Sequence, residues 1–256
     1  MNGRISIDEI DKLLSGCTYE EFLKQKELLK DDGRKNVEAL IKKHERRYLK
    51  AIKAAEEYEK RCEYEKKLAL QGVLLVAGVD EVGRGPLAGP VCCSAVILDR
   101  NVPVLGVKDS KKLSPSQREE LSQEIKEKAV AWALGSASVQ EIDSMNILNA
   151  TKLAMTRALM KLNPAPQHVL IDAVRLEDIP FPQTAIIKGD DLSVSIGAAS
   201  IVAKVARDEY MEKISEKYPQ YNFVSNKGYG TEEHIKAIRE YGPCAIHRKT
   251  FIKNFV

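Results

Sequence analysis

Two hydrophobic rhythms divide the chain. From about Arg34 to Leu70 there is neither Gly nor Pro, and Val37, Leu40, Ile41, Tyr48, Ile52 and Ala55 recur at helical spacing among Lys, Arg and Glu. Upstream, Ser6-x-x-Glu9 and Thr18-x-x-Glu21 fit capping boxes, and Gly16 and Gly33 are natural stops. The pattern predicts a small helical domain over residues 1–70. From Gln71 onward short apolar runs alternate with longer amphipathic stretches, which predicts an α/β domain over 71–256. Strands are expected near 73–79, 91–98, 130–138, 168–171 and 184–187. Helices are expected over 115–129, opened by Ser114, Pro115 and Gln117, and over 139–162, stopped by Pro164 and Pro166. Two more should run from about Leu192 to Lys217 and from the cap Thr231 to about Tyr241. One face of the 192–217 helix is small (Ser195, Ala198, Ala199, Ala203, Ala206), so its backbone can lie close against a sheet.

The most informative stretch is Gly78-Val79-Asp80-Glu81-Val82-Gly83-Arg84-Gly85-Pro86-Leu87-Ala88-Gly89-Pro90. An apolar run enters it and ends on two adjacent carboxylates; the glycines and prolines that follow must bend the chain. Neighbouring side chains on a strand point to opposite faces, so both carboxylates reach one ion only where the strand ends or twists. A dinucleotide-binding turn is excluded by context. Such a turn opens a helix, whereas Pro90 to Leu98 reads as another strand, and a carboxylate pair would repel a pyrophosphate. Two readings are left: a glycine turn with a solvated acidic pair, or a metal site beside a loop that tracks a nucleic-acid backbone.

Further acidic residues tip that balance. Asp172 and Asp190 also end apolar runs, so with Asp80 and Glu81 they can converge at one sheet edge. Hard oxygen ligands of this kind suit Mg²⁺ or Mn²⁺, and no His/Cys cluster has zinc spacing. Two such ions can activate water and stabilise a leaving oxygen in phosphodiester cleavage. Asn226-Lys227-Gly228-Tyr229-Gly230 reads as a turn displaying an aromatic ring.

Composition adds limits. The 256 residues carry a net charge of +3, too small to announce nucleic-acid binding, so local patches must carry that argument. Lys42-Lys43 and Arg46-Arg47 form one such patch; it reads as a solvated helix face, with nucleic-acid contact as the functional alternative. Five cysteines, two of them adjacent, do not resemble a disulfide framework, so reduced thiols and a cytoplasmic location are expected. Met1 to Lys12 lacks the apolar core of a signal peptide, and no apolar stretch is long enough to span a bilayer.

Taken together, the motifs resemble those of prokaryotic ribonuclease HII. The resemblance runs from about Leu74 to Phe251. It rests on Gly78 to Val91, Asp109-Ser110-Lys111-Lys112-Leu113, Ile171-Asp172, Lys188-Gly189-Asp190, Ala198 to Lys204, Lys227-Gly228-Tyr229-Gly230-Thr231 and His247-Arg248-x-Thr250-Phe251. It implies an α/β fold with a ribonuclease H-like mixed central sheet flanked by helices. It also implies a metal-dependent endonuclease that acts as a monomer on RNA–DNA hybrids and on ribonucleotide-containing duplex DNA, in DNA replication and repair. By the same resemblance Asp80, Glu81, Asp172 and Asp190 hold one or two Mn²⁺ or Mg²⁺ ions, with Asp190 preferred over its neighbour Asp191. Gly83, Arg84 and Gly85 would recognise the ribose 2′-hydroxyl, Tyr229 would stack on a sugar, and Lys111 or Lys112 would contact phosphate. Residues 1–70 lie outside the core motifs. Their helical character argues against ribonuclease HIII, whose N-terminal domain is mixed α/β, and suggests an aid to substrate binding.

Overall fold

A computed structural model describes residues 5–108 and 110–256; Asp109 of the Asp-Ser-Lys-Lys motif lies outside the described residues. The chain forms two compact units, Met1–Glu59 and Lys60–Val256. The first holds helices α1 (Ile7–Ser15) and α2 (Tyr19–Leu28) and most of α3 (Lys35–Arg61). Both expected capping boxes are present, with Ser6 paired to Glu9 and Thr18 to Glu21. Ile10, Leu14, Phe22, Val37 and Ile41 form its core, against which Leu40 and Tyr48 pack at the predicted helical spacing. Part of the basic patch is structural. Arg47 lies over the Tyr48 ring and donates to the Ser15 carbonyl at 2.9 Å, while Lys42 and Arg46 stay exposed.

The larger unit begins with the end of α3 and α4 (Glu63–Ala69), followed by β1 (Val76–Val82), β2 (Val91–Leu98), α5 (Pro115–Lys128), β3 (Ala129–Ala137) and α6 (Val139–Leu159). Then come β4 (His168–Asp172), β5 (Gln183–Ile186), α7 (Gly189–Leu192), α8 (Val194–Lys217), α9 (Phe223–Asn226), α10 (Glu232–Tyr241) and α11 (Lys249–Ile252). The strands make one mixed sheet in the order β3-β2-β1-β4-β5. The β3-β2-β1 side is antiparallel, and β4 and β5 run parallel to β1.

Strand alternation assigns the two faces. Ala77, Val79, Val169 and Ile171 pack with residues of α6, including Ala154, Met155 and Ala158, in the main core. Val76 and Leu170 face the other way, onto Ile196 of α8. The small face of α8 does what its sequence predicts. A Cβ on Gly78 would lie 2.0 Å from the Ser195 carbonyl carbon, so strand and helix backbones are in direct contact there.

Three local differences from the sequence pattern have physical causes. β1 spans Val76–Val82 where the sequence placed a strand near 73–79, because its pairing with β2 continues through Glu81↔Cys93 and Val82↔Cys92. The long helix before β4 bends at Asn146, whose φ of 70° is non-helical. The helix expected from Leu192 is two helices, broken at Ser193, whose side chain accepts from the Ile196 N–H as the N-cap of α8. All five cysteines are free thiols. Among the described residues no helix is long and apolar enough to cross a membrane.

Candidate active site

The site is built where parallel strands stop at different heights. The β1–β4 pairing ends at Val79↔Ile171, so Asp80 and Asp172 come next on each strand and share the face turned to α8. Glu81 has the opposite parity. It reaches the same place because β1 continues past the end of β4, so on that side no strand separates the two faces. Asp80, Glu81 and Asp172 each offer a carboxylate oxygen, and these atoms lie within 4.8 Å of one another.

Local contacts aim each acid. Asp80 is buried; its Oδ1 accepts from the Glu81 N–H at 2.8 Å, and the nearby Ser200 side chain of α8 favours its charged form. Burial, then the charges of Glu81 and Asp172, push the Asp80 carboxyl well above its ordinary range. Burial also pushes Glu81 up, opposed by Arg84, whose Nη1 lies 3.2 Å from Glu81 Oε1. The other oxygen, Glu81 Oε2, is buried with no hydrogen-bond partner. Asp172 Oδ1 accepts from the Gly189 N–H at 2.7 Å, tying β4 to the turn before α7.

Asp190 is the second residue of α7, directly after Gly189, and is not among the three acids whose ligand atoms converge. Its turn is held by α3 and α4. Arg61 Nη2 donates to the Asp190 carbonyl, and Glu65 Oε1 accepts from Ser193 Oγ at 2.6 Å and from the Ser195 N–H at 3.1 Å. Asp191 is ion-paired with Lys112 Nζ at 2.7 Å, which brings the Lys111-Lys112 segment to the same loop.

The Gly83-Arg84-Gly85 loop and Tyr229 meet on one side of the acids. Gly83 has a φ of +91°, and the Tyr229 ring, about half exposed, approaches Gly85 closely enough that a Cβ there would sit 3.8 Å from it. Behind the loop stand two arginines to which the sequence pattern assigned no role. Arg207 and Arg248 are fully buried; Arg248 donates to the Gly83 carbonyl of the loop and Arg207 to the Ala88 carbonyl just beyond it. The Tyr229 turn has its own support. His247 Nδ1 accepts from the Cys244 N–H, the two Nε2 atoms of His247 and His234 are 3.0 Å apart, and His234 Nδ1 is 2.8 Å from the Tyr229 carbonyl. One ordered pair of neutral imidazoles satisfies all three contacts: His247 donates to His234, and His234 donates to Tyr229. Burial and the neighbouring His234 lower His247 to about 4, which keeps it neutral near pH 7. His234 and His247 signal nothing by spacing, since they meet only through the fold.

The acids fit a hard divalent cation. Their oxygens converge, one of them is buried without a partner, and proton uptake is favoured where a cation would relieve repulsion. A mixed five-stranded sheet crossed by α8, with this carboxylate cluster at its strand ends, defines a metal-dependent nuclease of the ribonuclease H-like fold. Comparison with known proteins narrows the class. The sequence model for Ribonuclease HII matches residues 77–254, and that for the Ribonuclease HII N-terminal domain matches residues 6–69. The chain belongs to the ribonuclease HII family. A Ribonuclease HII of Acetivibrio thermocellus is 46% identical over 254 residues, which is 99% of each chain. Among solved structures, ribonuclease H2 from Pyrococcus horikoshii OT3 matches with a TM-score of 0.58 at 30% identity, over 70% of this chain and 96% of that one. Bst-RNase HIII in complex with Mn²⁺ matches with a TM-score of 0.54 at 26% identity, over 66% of this chain and 63% of that one.

Proposed function

We propose that this protein is an endonuclease that hydrolyses the RNA strand of RNA–DNA hybrids and cuts on the 5′ side of ribonucleotides embedded in duplex DNA. The products would be a 3′-hydroxyl and a 5′-phosphate. The observation that carries this reading is the cluster of Asp80, Glu81 and Asp172 beside a glycine loop covered by Tyr229. Mn²⁺ or Mg²⁺ would be held by Asp80, Glu81 and Asp172, with Asp190 joining from the adjacent turn. Bound there, one or two such ions supply a nucleophilic water and stabilise charge on the leaving oxygen. Asp190 is preferred over Asp191 as the fourth carboxylate because it directly follows Lys188-Gly189, as in the family pattern. The loop Gly83-Arg84-Gly85 would meet the ribose 2′-hydroxyl, the group that separates RNA from DNA. Tyr229 would stack on the sugar next to it, and Lys111 or Lys112 would position phosphate without reading sequence. The protein would act as a cytoplasmic monomer in the removal of ribonucleotides from DNA.

The test is a DNA duplex with one ribonucleotide, incubated with Mn²⁺ or Mg²⁺ beside an all-DNA duplex. A single cut 5′ to the ribonucleotide is expected, lost with EDTA and absent from the control. Cutting of both duplexes would make this a general metal nuclease; binding without cutting would make it a hybrid-binding protein.

The helical N-terminal unit would grip the duplex through its exposed lysines and arginines. Deleting residues 1–59 is expected to weaken hybrid binding by roughly three- to tenfold at moderate salt, as loss of a few phosphate contacts would. Mn²⁺ affinity by calorimetry should not change. Equal hybrid affinity with and without the unit would remove it from the binding face. The cut has to stop at 59, because Glu65 holds the turn that carries Asp190.

A further inference from the structure

The two buried arginines behind the glycine loop are unusual in what they bind. Arg207 donates from Nε to the Pro90 carbonyl at 3.1 Å, from Nη1 to Lys227 at 2.9 Å and from Nη2 to Ala88 at 3.1 Å. Arg248 donates from Nε to Gly89 at 3.0 Å, from Nη1 to Arg84 at 2.8 Å and from Nη2 to Gly83 at 2.5 Å. All six acceptors are backbone carbonyls. A buried cation ordinarily takes a carboxylate partner; here the peptide dipoles of two loops take that place.

The geometry has a directional consequence. In a planar trans peptide the N–H points away from the preceding C=O. With the Gly83 and Arg84 carbonyls turned inward to Arg248, the N–H groups of Arg84 and Gly85 are turned outward. Neither finds an acceptor among the described residues. A carbonyl that accepts from a charged donor also polarises its peptide, which strengthens the N–H on the other side. Gly83 is required for this arrangement, because a Cβ there would lie 2.2 Å from Arg207 Nε. Burial lowers both guanidinium pKa values; that of Arg248, at about 9, leaves it charged at neutral pH.

We infer that Arg207 and Arg248 are positioning residues for ribose discrimination: Arg248 locks the glycine loop with its carbonyls inward, Arg207 pins the chain just beyond it at Ala88 and Pro90, and together they present the Arg84 and Gly85 N–H groups to the ribonucleotide. Their side chains touch no substrate. Arg207 also bonds the Lys227 carbonyl, so the same clamp fixes the turn bearing Tyr229 relative to the loop. This inference rests on the ribonucleotide-cleaving reading above.

The test uses the full chain with Arg248→Lys and Arg207→Lys. Each keeps the buried charge but replaces a fork of fixed donors with one mobile ammonium. Thermal melting and Mn²⁺ titration first establish that a variant is folded with its acids intact. Affinity is then measured in EDTA for duplexes with and without a single ribonucleotide, followed by kcat and KM on the former. The expected result is a loss of about tenfold in the preference for the ribonucleotide duplex, the scale of a charge-assisted hydrogen bond, with all-DNA binding little changed. A folded variant that keeps its preference would overturn the assignment, as would failure of both lysine variants to fold, which would make the arginines purely structural. Should the wild-type protein itself lack the preference, the functional reading fails and not merely the role of the arginines.

Discussion

Asp80→Asn is expected to abolish cleavage in practice while raising the thermal stability of the metal-free protein. Asn keeps an Oδ1 that can accept from the Glu81 N–H, so the local backbone has no reason to move. What it removes is a buried negative charge at the centre of the carboxylate cluster. On the proposed metal role of Asp80, losing this carboxylate forfeits several kcal/mol of transition-state stabilisation, and about 4 kcal/mol corresponds to on the order of 10³-fold in rate. The stability effect has the opposite sign. Asp80 is raised in the folded state, so its ionised form destabilises the fold. That penalty is full above the folded-state pKa, shrinks as pH falls through it, and vanishes below the unfolded value of about 4, where both states are protonated. The Asn variant should therefore melt higher than wild type at neutral pH in EDTA, and the gap should close in acid. A variant that cuts at the wild-type rate would move the chemistry away from Asp80. One that melts lower at neutral pH would mean the apo site is not strained by its charges.

What the sequence made legible was local and periodic. β2 spans Val91–Leu98, as the apolar run predicted, and α5 begins at Pro115 behind the Ser114–Gln117 box, because these signals depend only on neighbouring residues. The acids could be named because each ends an apolar run. Whether their side chains converge could not be read, since that depends on the relative heights of β1 and β4. Those heights bring Asp80, Glu81 and Asp172 together and leave Asp190 on the adjoining turn. The bend at Asn146 was also hidden, because apolar periodicity carries through a single non-helical residue. Arg207 was the least legible residue of all. In Arg207-Asp208-Glu209 it reads as a surface charge among charges, yet it is fully buried. Burial of a cation among carbonyls has no signature in residue order, because the acceptors belong to the backbone and come from remote loops.

Gly78→Ala is expected to cost the fold more than any other single methyl in the larger unit's central strand. The added Cβ would lie 2.0 Å from the Ser195 carbonyl carbon, 2.2 Å from its oxygen and 2.3 Å from the Ile196 nitrogen. All three are backbone atoms, so no rotamer change relieves the clash. Retreat of α8 is resisted because Ile196 is buried against Val76, Leu170 and Ile186. Overpacking of a rigid core costs about 1–3 kcal/mol, occasionally more. With backbone on both sides the upper end applies, about 3 kcal/mol or above, a large share of the ~5–15 kcal/mol that holds a domain together. The damage reaches the site, because α8 also carries Ser200, which lies by Asp80 and favours its charged form, and Arg207, which holds the Ala88 carbonyl beyond the loop. Gly85→Ala is the matched control: its Cβ would meet only the Tyr229 ring at 3.8 Å, an ordinary contact, so melting should be unchanged. A Gly78→Ala protein that melts with wild type would mean that α8 is not seated directly on β1. The close approach that brings Ser200 to Asp80 would then need another cause.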